Sequence, residues 1–164
     1  MNIFEHYVKN LEFDGIDRTP DQMFTFDHKL GNGDDINHFS ISFTSLALLK
    51  RLQPNQKCMF HLDTTYKITK TNKPLTVLGM TDMQHYFWPI CFMISSHETT
   101  EDYTYFFETL NKLCRLLQIN VNPAYMVTDA CKAMKNGLQL VYPNCQTLMC
   151  WFQVKYNLRK KKIS

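Results

Sequence analysis

Three β-rich runs, 58–68, 74–80 and 86–95, follow one another with only five residues in each gap, 69–73 and 81–85. Gaps that short join antiparallel neighbours and leave no room for a crossover helix. The period then changes. Tyr103, Phe106, Phe107, Leu110, Leu113 and Leu117 recur at helical spacing and leave Glu108, Lys112 and Arg115 for solvent. Thr99 or Thr100 suits the cap of this helix, and Glu101 and Asp102 suit its first turn. Pro123 closes the connection. Residues 124–128 (Ala-Tyr-Met-Val-Thr) read as a short buried strand of the parallel kind. Residues 130–141 read as a helix closed by Pro143-Asn144, 147–150 as a last strand, and 152–162 as the start of another helix.

The predicted order is therefore three antiparallel strands, then helix, strand, helix, strand, helix. A meander followed by right-handed βα crossovers predicts an α/β fold, a mixed five-stranded sheet flanked by helices in the spatial order 3-2-1-4-5. Pro89 marks the third run as an edge strand, because proline cannot donate to a central ladder. This is a ribonuclease H-like layout, and it sets the first and fourth strands side by side. Residues 45–52 (Ser-Leu-Ala-Leu-Leu-Lys-Arg-Leu) predict a short amphipathic helix ahead of the meander. Residues 1–42 are mixed and turn-rich and form a leader of uncertain fold, before a domain over 43–164.

Composition removes several classes. A chain that is 45% hydrophobic and 20% charged is neither disordered nor an acidic tail. The densest apolar run, 86–94, is nine residues and contains Pro89, too short to cross a membrane as a helix. Residues 1–10 carry Glu5, His6 and Lys9 and lack the apolar stretch of a secretory signal. Six cysteines show no framework spacing and mostly sit in apolar stretches, which predicts reduced thiols in an intracellular, unsecreted protein. No Cys-x-x-Cys or His-Glu-x-x-His occurs, against a zinc site. Gly31-Asn-Gly33, followed by Asp34-Asp35, reads as a turn rather than a phosphate cradle. The net charge of +3 is localised: residues 1–154 balance to −2, whereas Lys155, Arg159, Lys160, Lys161 and Lys162 fall within the last ten residues. Such a patch suits nucleic acid or another polyanion, or a solvated helix end.

Two aspartates carry the candidate chemistry. Asp63 lies in the first strand, in Phe60-His-Leu-Asp-Thr-Thr-Tyr66, and Asp129 at the end of the fourth, in Met126-Val-Thr-Asp-Ala130. Facing carboxylates on neighbouring strands repel unless a divalent cation neutralises both, and oxygen ligands suit Mg²⁺ or Mn²⁺. Two such ions clamp the attacking and leaving oxygens of a phosphodiester. Asp129 equally suits the N-cap of the helix behind it.

Several stretches resemble the MULE transposase domain of Mutator-like elements. They are Leu62-Asp-Thr-Thr-Tyr-Lys67, Pro74-Leu-Thr-Val77, Ser96-His-Glu98 with Tyr103-Thr-Tyr-Phe-Phe-Glu-Thr-Leu110, Val127-Thr-Asp-Ala130, Tyr142-Pro-Asn144 and Leu148-Met-Cys-Trp-Phe152 with Val154-Lys-Tyr-Asn-Leu158. The resemblance runs from about Phe43 to Arg159. It implies a ribonuclease H-like DDE core, metal-dependent cleavage and joining of DNA in cut-and-paste transposition, a nuclear location, and transposon ends as partner. It also allows a homo-oligomer and implies no small-molecule cofactor. The family's first and second acidic residues fall on Asp63 and Asp129, as catalytic and metal-binding residues. Two departures stand out. The Cys-x-x-His typical of such families reads Cys150-Trp-Phe-Gln153 here, and no acidic residue follows Asp129. The expectation is a domain lacking its third carboxylate, C-terminally truncated and inactive as given. The alternative is a domesticated, non-catalytic DNA-binding or regulatory protein.

The remaining residues read as structural. His61 shares the face of Asp63 but reads as packed or partly exposed, Glu98 as a helix-entry carboxylate, and Asp82 as a turn residue. Trp151 and Phe152 read as anchors of the last helix to the sheet, with base stacking as the rarer use.

Overall fold

The computed structural model describes residues 3–15, 18–52, 58–66, 68, 72–129, 131–152 and 154–155. The elements are α1 (Ile3–Asn10), β1 (Met23–Leu30), β2 (Phe39–Ser45), α2 (Leu46–Leu49), β3 (Met59–Thr65), β4 (Leu75–Thr81), β5 (Phe87–Ser95), α3 (Thr100–Leu116), β6 (Tyr125–Thr128), α4 (Lys132–Val141) and β7 (Gln146–Met149). The strands form one mixed sheet in the order β1-β2-β5-β4-β3-β6-β7. The β3–β6 and β6–β7 pairs are parallel and the rest antiparallel.

This corrects the five-stranded expectation. Residues from the turn-rich leader supply two further strands, and β2 pairs with β5 at Ser40–Ser95, Ile41–Ile94, Ser42–Met93 and Phe43–Phe92. The third β-rich run is consequently internal, not an edge. Pro89 is tolerated because the β4–β5 register shifts between Leu78 and Gly79, and Pro89 sits opposite Gly79 at that irregularity. The helix foreseen over 45–52 is a single turn, α2, whose first turn is capped where the Ser45 hydroxyl accepts from the Leu48 N–H.

One face of the sheet carries the core. Phe60, Leu62, Leu78, Met80, Met93 and Met126 are buried there against Tyr103, Phe106, Phe107 and Leu110 of α3 and Met134 and Leu138 of α4. Thr99 and Asp102 close a capping box at the start of α3, and the solvent face foreseen for Glu108, Lys112 and Arg115 is exposed. The Tyr103 hydroxyl donates to Glu98 Oε1 at 2.5 Å and lies 3.1 Å from Thr64 Oγ1, which is itself 2.9 Å from Thr76 Oγ1. The even positions of β3 therefore face α3, and Asp63 faces away.

α3 also holds the leader in place. The Tyr105 hydroxyl donates to Asp27 Oδ1 at 2.6 Å, Lys29 Nζ lies 3.8 Å from the Tyr105 ring centroid, and His38 Nδ1 lies 2.9 Å from Asp102. Gly33, at φ +84°, turns the 31–37 connection through a conformation that favours glycine. All six cysteines are free, with Cys91, Cys114 and Cys145 buried. Among the described residues no helix is long and apolar enough to cross a membrane.

Candidate functional site

The parallel β3–β6 ladder pairs Phe60 with Met126, His61 with Val127 and Leu62 with Thr128. Asp63 and Asp129 each follow the last of these pairs, so they stand at the same level of adjacent strands. Leu62 and Thr128 are buried toward the helices, whereas Asp63 is exposed and Asp129 half-buried. The carboxyl of Asp63 is held above the usual carboxylate range, first by partial desolvation among its neighbours and then by the charge of Asp129. The charge of Asp129 is thus felt at Asp63 across the β3–β6 pair.

Asp129 spends one oxygen on the chain itself. Its Oδ1 accepts from the Cys131 N–H at 3.0 Å, tightening the turn into α4. The helix cap is Cys131, which makes no side-chain cap bond, so Asp129 sits ahead of the N-cap position rather than in it. The other oxygen of Asp129 and the carboxylate of Asp63 are the donors available to a hard cation. Among the described residues no group of three or more His, Cys, Asp or Glu side chains could hold a metal ion.

Asp82 and Glu98, read above as a turn residue and a helix-entry carboxylate, are engaged in such local roles. Asp82 accepts from the Gln84 and Tyr86 N–H groups and from Trp88 Nε1, and these bonds, the Trp88 bond foremost, lower its pKa. Glu98 takes the Tyr103 hydroxyl. His61 lies 2.7 Å from Thr81 Oγ1 and edge-on to Phe87, and burial lowers its pKa. It lines a cleft of about 830 Å³ with Met59, Met83, His85 and Tyr125, toward the opposite end of β3 from Asp63. Across the sheet from Asp63 runs a half-buried apolar row. Phe43 stacks on Phe92 at 5.3 Å, Phe92 pairs with Val77, and Val77 pairs with Asp63.

At the basic end, Lys155 is helical and exposed. Arg159, Lys160, Lys161 and Lys162 lie outside the described residues, as does Gln153. Trp151 and Phe152 do not anchor the last helix to the sheet: they are 72% and 74% exposed. The foreseen contact is absent because β7 is the outermost strand, its Leu148 and Met149 themselves exposed, with little surface left to cover the rings. Lys132 and Lys135, exposed on the first turn of α4 behind Asp129, were not singled out by the sequence. Their only signal there is the helical period that leaves them off the apolar face.

Fold and site together define a mixed-sheet α/β domain with two carboxylates at the ends of adjacent parallel strands. The family model for the MULE transposase domain matches residues 59–157, a span that contains both aspartates, and the chain belongs to that family. A curated PKS-NRPS hybrid synthetase, cheA, of Chaetomium globosum is similar, 26% identical over 140 residues. That alignment covers 77% of this chain and 3% of the synthetase, so the chain spans a small fraction of the length of the curated relative it matches.

Proposed function

We propose that this chain is a DDE-type catalytic domain of ribonuclease H-like ancestry, built to cleave and join DNA strands in cut-and-paste transposition in the nucleus. The observation that carries this reading is the placement of Asp63 and Asp129 at one level of the β3–β6 pair, where desolvation first and the charge of Asp129 second raise the pKa of Asp63. The donor set fits Mg²⁺ or Mn²⁺: both groups are hard oxygen ligands, and their mutual repulsion is what a divalent cation would relieve. Asp63 and the free oxygen of Asp129 would hold the ion, which supplies charge neutralisation at the phosphodiester oxygens. The chain's own part is positional. The β3–β6 ladder fixes the separation of the carboxylates, and the Cys131 N–H fixes the Asp129 rotamer. Lys155, with Arg159, Lys160, Lys161 and Lys162, contributes phosphate contacts to transposon-end DNA.

The 164-residue polypeptide by itself does not cut DNA in this reading. No acidic residue follows Asp129 in the sequence, and no third carboxylate joins the pair among the described residues. A misplacement of about 1 Å at such a centre already costs ~10²-fold. A second reading, a domesticated non-catalytic DNA-binding protein, is favoured by Gln153, which stands where the family places an imidazole ligand. Titration with Mn²⁺, followed by the paramagnetic signal of the free ion, separates the two. The first reading expects weak binding that Asp63→Asn and Asp129→Asn each abolish, and no binding by wild type supports the second. In a parallel assay with labelled duplex and Mn²⁺, nicking by the wild type that disappears in Asp63→Asn would overturn the expected inactivity.

A further inference from the structure

We propose that Trp151 and Phe152, with Lys155, form a stacking platform for an unpaired nucleotide of DNA lying beside the Asp63–Asp129 pair. The inference deepens the DNA reading above and rests on it. Thr128 pairs with Met149, and the Cys150 N–H donates to the Thr128 carbonyl at 2.8 Å. Asp129 is one residue past this pair and Trp151 two, so Trp151 and Phe152 follow the sheet at the same strand end as the two aspartates. Both rings are about three-quarters exposed, at 72% and 74%, an unusual position for the two most oily side chains of that segment.

What covers them is indicated by charge. Residues 151, 152, 154 and 155 are helical, with the Val154 N–H donating to the Cys150 carbonyl at 3.1 Å. Trp151 and Lys155 are therefore four apart on one helix face, a spacing that sets an aromatic and a basic residue along the same side. Lys132 and Lys135, also exposed, open the helix that begins just behind Asp129. An apolar protein surface would have to strip water from these cations. A nucleotide offers both halves of the match, a π-face for the ring and a phosphate for the ammonium. Stacking needs a base with a free face, which a base inside a duplex lacks, so the platform selects unpaired nucleotides.

The test compares two labelled DNAs: a blunt duplex, and the same duplex with a single-stranded extension of about six nucleotides. By fluorescence anisotropy the wild-type chain is expected to bind the extended DNA about tenfold more tightly. Tryptophan emission should fall on binding, the other indole, Trp88, being engaged with Asp82 and Arg51. Trp151→Ala should remove the preference and most of the quenching, with blunt-duplex affinity kept within about twofold and an unchanged melting temperature, the residue being exposed. Lys155→Gln should weaken both DNAs and flatten the salt dependence. Equal wild-type affinity for the two DNAs, or a preference that survives Trp151→Ala, overturns the platform and leaves the DNA reading standing. Binding to neither DNA overturns both.

Discussion

His38 and His97 stack with ring centroids 4.4 Å apart, and each has its own carboxylate: His38 Nδ1 lies 2.9 Å from Asp102 and His97 Nε2 3.1 Å from Asp35. The hydrogen bond to Asp102 holds His38 above its ordinary value of 6.5, outweighing desolvation. The folded chain thus binds this proton more tightly than the unfolded one. The stabilisation is complete below about pH 6.5 and is lost as pH rises through the higher folded value. Burial pushes Asp102 upward, but bonds from His38 and Thr99 outweigh it and leave its pKa lowered, so its share is lost only in acid. We expect the wild-type melting temperature to fall between about pH 6 and pH 9 more steeply than that of His38→Gln. Parallel curves across that range would rule the contact out as a source of the pH dependence. Thiols supply a second residue-scale measurement. Burial pushes the Cys91 thiol well up and that of Cys114 to about 12. All six thiols should react with an aromatic disulfide in denaturant. In the folded protein Cys91, Cys114 and Cys145 should lag behind Cys58, Cys131 and Cys150 by at least tenfold in rate, as their burial requires.

Between helices, a close contact lies where α4 crosses α3. A Cβ at Gly137 would stand 2.7 Å from the Tyr103 Cβ and 2.9 Å from the Thr104 backbone nitrogen, so the missing side chain sets the distance between the helices. Gly137→Ala gains helix propensity, worth about 1 kcal/mol, yet has to push α3 and α4 apart. Overpacking of this kind costs ~1–3 kcal/mol, and a lowered denaturation midpoint at unchanged m is the expected outcome. Phe107, fully buried and edge-on to Tyr142 at 5.7 Å, fills the same helix–helix layer. Its truncation to Ala should cost about 3–5 kcal/mol in urea melts. A Gly137→Ala variant as stable as the wild type would mean that the helices slide apart freely, which the buried Tyr103 network argues against.

For the molecule as a whole, the consequence of a seven-stranded sheet is that residues 23–30 and 39–45 are structural. A chain begun at residue 43 would cut β2 within Phe39–Ser45, expose the β5 edge, and remove the partners of Tyr105 and Asp102 on α3. An uncovered internal strand is an aggregation template. The 43–164 chain should therefore elute as aggregate on size exclusion or melt without a cooperative transition, whereas the full chain should melt in one. A monomeric, cooperatively melting 43–164 chain would show that the five remaining strands suffice.

Local chemistry determined a large part of this protein before any fold existed. The β-rich runs over β3, β4 and β5, the 3.6-residue period and Thr99 cap of α3, and the placement of Asp63 in a strand and Asp129 at a strand's end are all legible in the sequence. They depend on neighbours a few residues away. The family, too, is readable from short stretches in their order. Other features were decided only in three dimensions. β1 and β2 attach beyond β5 through backbone hydrogen bonds, and such bonds carry no side-chain label, so the weakly patterned leader does not announce its partner. The coupling of Asp63 to Asp129 exists only because parallel β3–β6 pairing brings together residues 66 apart in the chain. Trp151 and Phe152 have the composition of core residues. They are left in solvent because the tertiary structure puts them past the outermost strand, where the sheet has no surface left to bury them.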